Sequence, residues 1–292
     1  MNEIDYRELK RGGVMRQQGE DRFLVRLHLV AGGLSSGQAR VVAEAADQYG
    51  SGALHLTSRQ GIEIPDVSSG ALTELKEFLA PHGIGFGVCG PTVRGVTACQ
   101  GCHVCPNGVI DSPGLAAELD RAFYGKQAPH KFKIGISGCA NNCLKAEEND
   151  LGVKGWIEPR WRGEDCTGCG LCVAVCPVKA LRLAGDREPV EIDRSRCIGC
   201  GDCIVSCPSA SMAEKSRGSR VYFGGKLGRV PYLGQSVLGV LTDTEEVIEV
   251  VAEALEFFRL HGRARERFGD TLQRVGFEAL ASHIGALARR VA

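Results

Sequence analysis

Neither sign of charge predominates in this chain. Lysine and arginine number 35, and so do aspartate and glutamate, across 292 residues. That balance removes the electrostatic footprint expected of a nucleic-acid or acidic-membrane binder. Long apolar runs are also missing, so no membrane span is expected. The first residues, MNEIDYRELKRGG, are charged and lack the apolar stretch of a secretory leader. We therefore expect a soluble cytoplasmic protein with reduced thiols, sensitive to oxygen. The length suits one large domain or two to three small ones.

Cysteine and glycine are abundant instead, at 14 and 39 residues. Cys166, Cys169, Cys172 and Cys176-Pro177 spell C-x2-C-x2-C-x3-C-P, and Cys197, Cys200, Cys203 and Cys207-Pro208 spell it again. In such a pair of runs three thiolates wrap one cubane and the fourth ligates the other. One [4Fe–4S] cluster is thus expected on Cys166, Cys169, Cys172 and Cys207, and a second on Cys197, Cys200, Cys203 and Cys176. Disulfides do not suit a reducing compartment. Zinc also takes C-x2-C pairs, but the repeated x3-C-P tail favours iron–sulfur. Small residues between the ligands (Thr167-Gly168, Gly170, Gly199, Gly201) let the backbone curl round a cluster. A cluster pair moves single electrons, so the rest of the chain should use them.

The N-terminal third has its own periodicity. Residues 23–30 alternate as a strand, and 37–49 carry Val42, Ala45, Ala46 and Tyr49 at helical spacing after Ser35-Ser36. Strands at 53–57 and 62–64, a helix at 70–79 stopped before Pro81 and a strand at 84–88 complete a βαββαβ order. That is the ferredoxin-like sandwich topology, which by itself implies no function.

A second cysteine set follows. Cys99, Cys102 and Cys105 precede Cys139-Ala140-Asn141-Asn142-Cys143. Without Cys102 the pattern is C-x5-C and C-x3-C, two pairs able to hold a further [4Fe–4S] cluster, with Cys139 and Cys143 on a loop entering a helix. Cys102 could instead replace Cys99 or Cys105. Cys89 reads as a buried small hydrophobe, and His103 and His130 as structural.

At these residues the chain resembles the sirohaem-dependent sulfite and nitrite reductases. The resemblance rests on the two cysteine pairs together with His55-Leu56-Thr57-Ser58-Arg59-Gln60-Gly61, Thr92 to Cys99, Lys131 to Cys139, Gly224 to Arg229, Arg267 to Asp270 and Arg274 to Phe277. It implies that Cys99, Cys105, Cys139 and Cys143 hold a cluster and that Cys143 bridges it to the sirohaem iron. Thr57, Arg59, Gln60, Asn142 and Arg229 are implied cofactor contacts. Arg59, Arg94, Lys131 and Lys133 are the implied catalytic cations on the open face of the sirohaem. The chemistry agrees: sulfite must shed water to bind iron, and buried cations can replace that hydration. Lys131 and Lys133 alternate along an expected strand, so they share a face.

The implied architecture is α+β: a ferredoxin-like half-domain (1–90), a sirohaem/[4Fe–4S] core in two parts (91–159 and 216–292), and an inserted two-cluster ferredoxin domain (160–215). Strands at 152–157 and 219–224 should flank the insert and bring its ends together. A stretch at 244–260 with Val247, Val251, Ala254 and Phe258 on one stripe should pack as a helix. The implied activity is six-electron reduction of sulfite to sulfide; nitrite to ammonia uses the same cofactors, and a non-catalytic electron-transfer subunit is the remaining alternative. The likeness is nearest to the catalytic subunit of anaerobic-type sulfite reductases. A ferredoxin or a flavoprotein subunit is the expected donor. Family members carry two copies of this half-domain plus core, so a single copy implies a homodimer or assembly with a related subunit.

Overall fold

The computed structural model describes residues 5–163, 165–185 and 190–288. The first unit runs α1 (Tyr6–Arg11), β1 (Val14–Arg16), β2 (Phe23–Arg26), α2 (Ser36–Tyr49), β3 (His55–Leu56), β4 (Ile62–Val67) and α3 (Leu72–Leu79). Its sheet has the order β1-β2-β4-β3, all antiparallel. Phe23, Val25 and Leu27 alternate inward and bury against Val42, Ala45 and Ala46 of α2 and Leu75 and Leu79 of α3. Helix α2 starts where a capping box allows. The Ser35 hydroxyl accepts from the Gln38 amide at 3.1 Å, and the Gln38 side chain accepts from the Ser35 amide at 3.0 Å.

The edge of this sheet differs from expectation. Residues 84–88 form a single bridge, Leu27 to Phe86, rather than a full strand. β1, which the alternation did not announce, takes the other half of the same edge. Arg26 N–H donates to Gly13 O at 2.9 Å, while Gly87 N–H donates to Arg26 O at 2.7 Å and His28 N–H to Gly85 O at 2.8 Å. The two segments meet end to end at Gly13, whose φ is +81° and where a Cβ would lie 2.4 Å from Gly87 O.

The second unit continues with β5 (Thr97–Ala98), α4 (Ser112–Phe123), β6 (Ile134–Ser137), β7 (Leu151–Trp161), α5 (Leu171–Ala174), β8 (Leu181–Leu183), β9 (Val190–Ile192), α6 (Asp202–Val205), β10 (Met212–Phe223), α7 (Thr244–His261), α8 (Phe268–Val275) and α9 (Phe277–Ala288). Its main sheet has the order β10-β7-β6-β5. β5, β6 and β7 run parallel, and β10 returns antiparallel. Phe132, Ile134, Ile136, Val153, Val221 and Phe223 pack beneath α7 and α8. The expected stripe of α7 is buried: Val247, Val251, Ala254 and Phe258 all face this core.

β7 and β10 outrun the strands predicted at 152–157 and 219–224. Their ladder continues to the pair Trp161–Met212, with an irregularity between Glu214 and Ser216. The cysteine-rich segment therefore sits at the end of a two-stranded stalk, with its own small core of Cys172, Leu181, Val190, Cys203 and Met212. No helix among the described residues is long and apolar enough to cross a membrane.

Candidate active site

A cleft of about 270 Å³ opens between the two units, lined by Thr57, Arg59, Arg94, Lys131 and Lys133 among others. The 57–61 loop forms one wall. Its tip is closed by Gly61 N–H donating to Thr57 Oγ1 at 2.9 Å. Gln60, at φ +56°, clamps the loop to the backbone of Ala98, accepting at 2.9 Å and donating at 2.8 Å. That clamp fixes the loop against the residue preceding Cys99.

The two arginines build the walls. Arg59 donates to Asn149 Oδ1 at 2.9 Å, Gly95 O at 3.0 Å and Ile134 O at 3.3 Å. Burial pulls its guanidinium down to about 10, with Arg94 and Arg267 adding to the effect. Arg94 donates to Val88 O at 2.6 Å and Gly90 O at 3.0 Å, and its Nε is buried with no partner.

The lysines are placed differently. Phe132 N–H donates to Thr92 O at 3.0 Å and Arg94 N–H to Phe132 O at 2.8 Å, so 131–133 run as an extended segment. Phe132 points into the core, fully buried, which leaves Lys131 and Lys133 together on the cleft face. Neither ammonium has a hydrogen-bond or ion-pair partner among the described residues. Burial and the charges of Arg59, Arg267 and Lys131 bring Lys133 down to about 8. Lys131 is lowered as well, by burial first and then by Arg267 and Arg94. Beneath them the buried Asp150 carboxylate accepts from Arg267 at 2.9 and 2.7 Å and from Lys133 N–H at 2.9 Å. The result is a cleft crowded with positive charge and carrying unpartnered donors, which suits a small oxyanion and the carboxylates of an anionic cofactor.

Several residues of this site escaped the sequence reading. Asn149 and Asp150 support Arg59, Lys133 and Arg267. Arg26, held by Glu63 at 2.6 and 2.9 Å, also lines the cleft. So do His28 and Tyr124, whose rings stack at 3.7 Å. His28 Nε2 lies 2.8 Å from Asp120 Oδ2. Charged residues adjoining the motifs were the available signal for Asp150, but a pair separated by 117 positions leaves no local pattern.

Cys99, Cys105, Cys139 and Cys143 gather at one end of the cleft loops. Gly138 N–H donates to Cys99 Sγ at 3.0 Å. Burial raises the Cys139 thiol, and the neighbouring thiols that raise it further are those of Cys105, Cys99 and Cys143. Cys102 is exposed, and its N–H is held by Ile110 O at 3.0 Å. The segment after Cys139 is a series of tight turns ending in a 3-10 turn at Ala146–Glu148, not the expected helix. Positive φ at Asn142 (+55°) and Lys145 (+49°) prevents helix propagation. The Asn142 amide serves this turn, accepting from Ala146 N–H at 2.8 Å and donating to Glu147 Oε2. Arg229 stands exposed in the loop between Lys226 and Tyr232 and lines no part of the cleft. Cys89 is buried at 5% exposure, accepting from Arg26 at 3.2 Å. Exposed His103 lies 3.3 Å from Asp111 Oδ2. Burial and Lys131 lower the His130 imidazole.

At the stalk end, one small void is bordered by Cys166, Cys169, Cys172 and Cys207. A second is bordered by Cys176, Cys197, Cys200 and Cys203. The last cysteine of each run thus crosses to the other run's void. Burial pushes Cys200 up to about 11 and Cys203 up to about 12. Thiols held in such surroundings become thiolates on binding metal. Among the described residues, no three cysteine, histidine or carboxylate side chains converge closely enough for a single ion. Each void is bordered by four thiols, the donor set that a [4Fe–4S] cluster takes.

Comparison with known proteins finds matches over most of the chain. Residues 89–289 match the nitrite and sulphite reductase 4Fe-4S domain, and residues 15–82 match the nitrite/sulfite reductase ferredoxin-like half domain. The coenzyme F420-dependent sulfite reductase of Methanocaldococcus jannaschii is 31% identical over 95% of this chain and 44% of its own length. An anaerobic sulfite reductase subunit of Salmonella typhimurium is 31% identical over 54% of this chain and 50% of its own. The chain thus spans half or less of these curated relatives. In fold, it superposes on dissimilatory sulfite reductase I with a TM-score of 0.72 at 22% identity, covering 90% of this chain and 69% of that one.

Proposed function

The chain belongs to the nitrite and sulphite reductase 4Fe-4S family, an oxidoreductase family, and from that premise we propose that it reduces sulfite to sulfide. The observation that carries this reading is the convergence of Arg59, Arg94, Lys131 and Lys133 on one cleft. A non-catalytic electron carrier has no need of such a set.

In this reading Cys99, Cys105, Cys139 and Cys143 hold a [4Fe–4S] cluster, with Cys143 next to a sirohaem. Cys166, Cys169, Cys172 and Cys207 hold a second cluster, and Cys176, Cys197, Cys200 and Cys203 a third. The segments 1–90, 91–159 with 216–292, and 160–215 serve as half-domain, core and electron-supplying insert. When bound, these groups supply the electrons and the iron that takes up sulfur. The protein supplies the rest. Unpartnered Lys131 and Lys133 hold the oxyanion and replace its lost water. Lys133, near 8, can also release a proton to oxygen as each S–O bond breaks, and recover it from solvent. Arg59 and Arg94 fix the walls and hold the 88–95 segment against the cleft. Assembly with a second copy or a related subunit, and a ferredoxin or flavoprotein donor, belong to the same proposal.

The deciding assay is anaerobic turnover of the cofactor-loaded protein with a reduced viologen dye, with sulfite and nitrite compared. Sulfide formation with the higher kcat/KM on sulfite is expected. Faster ammonia formation from nitrite would overturn the substrate assignment, and no product from either would overturn the enzymatic reading.

Two further outcomes follow from the site. Arg94→Ala should keep the sirohaem bands while sulfite turnover falls about 100-fold, the effect of a misplacement of about 1 Å, because the 88–95 wall loses its anchors at Val88 O and Gly90 O. Unchanged turnover would sink its assignment. For the thiols, Cys207→Ser and Cys166→Ser should change the same EPR signal, and Cys176→Ser and Cys200→Ser another. Pairing of Cys207→Ser with Cys200→Ser would contradict the crossed arrangement.

A further inference from the structure

Strand β7 packs against segments that carry all three thiol sets, in order along its length. At its beginning it packs on the Cys139–Cys143 turn. A Cβ on Gly155 would lie 2.1 Å from the carbonyl oxygen of Gly138, the residue before Cys139. Lys154 Nζ pairs with Glu147 Oε1 at 2.5 Å, and Glu147 in turn takes the Asn142 amide beside Cys143. The next residues meet the second ferredoxin-type run. Ile157 N–H donates to Gly199 O at 2.9 Å, between Cys197 and Cys200. Gly199 lies on the Trp156 indole so closely that a Cβ there would be 2.3 Å from the ring. Pro159 borders the void of Cys176, Cys197, Cys200 and Cys203. Trp161, at the far end, borders the void of Cys166, Cys169, Cys172 and Cys207. At about 3.3 Å per residue, Trp161 stands roughly 20 Å along the strand from Gly155, whereas Trp156 is its immediate neighbour.

We infer that β7 fixes the order of the carriers. The Cys176/197/200/203 cluster is proximal to the Cys139–Cys143 turn, the Cys166/169/172/207 cluster is distal and receives electrons first, and Trp156, whose ring lies on Gly199 and whose backbone joins directly to Gly155 against Gly138, links the proximal run to that turn. This rests on the cluster assignments proposed above. Each transfer oxidises one carrier by one electron and reduces the next, with no bond or proton changed. The indole itself is not oxidised. Arg220 sits 4.3 Å from its centroid and Lys154 5.9 Å, and two cations this close to the ring disfavour its radical cation. Trp156 therefore acts as a positioning residue, closing the gap with packed atoms; it is 4% exposed.

The test compares Trp156→Leu with Trp161→Leu in the full chain loaded with sirohaem and clusters. Iron and sulfide content and the sirohaem bands are checked first; their absence in the unaltered protein defeats the functional proposal and this one with it. A reduced two-iron ferredoxin, too large to enter the cleft, is then mixed in without sulfite, and the iron–sulfur and sirohaem bands are followed separately. In Trp156→Leu the iron–sulfur bleaching should persist and the fast phase of sirohaem reduction should be lost. In Trp161→Leu the transfer from proximal cluster to sirohaem should keep its rate once the clusters are reduced. If Trp156→Leu does not load, Trp156→Phe provides the comparison, with partial slowing expected. Unchanged sirohaem reduction in the Trp156 variant, or equal slowing in both, overturns the order.

Discussion

A Lys133→Met variant should lose sulfite turnover by about 100- to 10,000-fold, the range for removal of a positioned proton donor. The macrocycle and iron–sulfur bands should be retained, because the Lys133 ammonium supports nothing else among the described residues. Only its backbone N–H bonds Asp150, at 2.9 Å, and that bond survives the change. The pH profile carries a second signature. Lys133 acts as an acid only while protonated, so activity of the unaltered protein should fall on an alkaline limb, at about 8 in the ligand-free protein and higher with an anion in the cleft. Lys133→Arg would keep the charge but hold its proton through that range, so it should bind sulfite and turn it over slowly without that limb. Linkage gives the sign for stability in the ligand-free protein. The folded-state value of about 8 lies below the ordinary 10.5, so between them the unfolded chain binds more protons. Stability should therefore rise with pH across that window, and this rise should shrink in Lys133→Met to the part that the lowered Lys131 contributes. An anion in the cleft lifts the folded value and shrinks the effect.

The second large effect is expected at Asp150. Asp150→Ala should destabilise the fold by about 3–5 kcal/mol, because it leaves the Arg267 guanidinium buried without its counter-charge. Arg267 side-chain exposure is only 9%, and that of Asp150 is 0%. Burial pushes the Asp150 carboxyl up, while the donors from Arg267 and Lys133 N–H oppose that. Its loss also exposes Arg59, Lys131 and Lys133 to one more uncompensated positive neighbour. Urea unfolding should show a lower midpoint with unchanged slope. A double variant, Asp150→Ala with Arg267→Leu, should recover part of the loss, because the stranded charge is gone. A single-variant midpoint within experimental error of the parent would refute the pair's role.

How much of this was legible in the sequence depends on whether the signal was local. The repeated cysteine runs gave the crossed thiol sets directly, since the last cysteine of each run borders the other run's void. The α2 cap and the α7 stripe were legible because capping and amphipathic spacing act within a few residues. Lys131 and Lys133 shared a face as alternation requires. The misses are non-local. β1 competes with residues 85–87 for one sheet edge, a choice made by the meeting of Gly13 and Gly87 rather than by either segment's pattern. The turns after Cys139 depend on left-handed Asn142 and Lys145, neither of which is a glycine. Arg59 and Arg94 line the cleft, but the backbone carbonyls and Asn149 that their guanidinium groups hold are a detail of partner geometry that no spacing encodes.

The measurement that bears most directly on the cationic cleft as a sulfite site beside sirohaem is the visible spectrum of anaerobically purified protein, dithionite-reduced, before and after sulfite. Isobacteriochlorin bands at the red end that shift on adding sulfite are the predicted result. A broad iron–sulfur shoulder alone, with no macrocycle bands even after reconstitution with sirohaem, would contradict it and leave a polyferredoxin in its place.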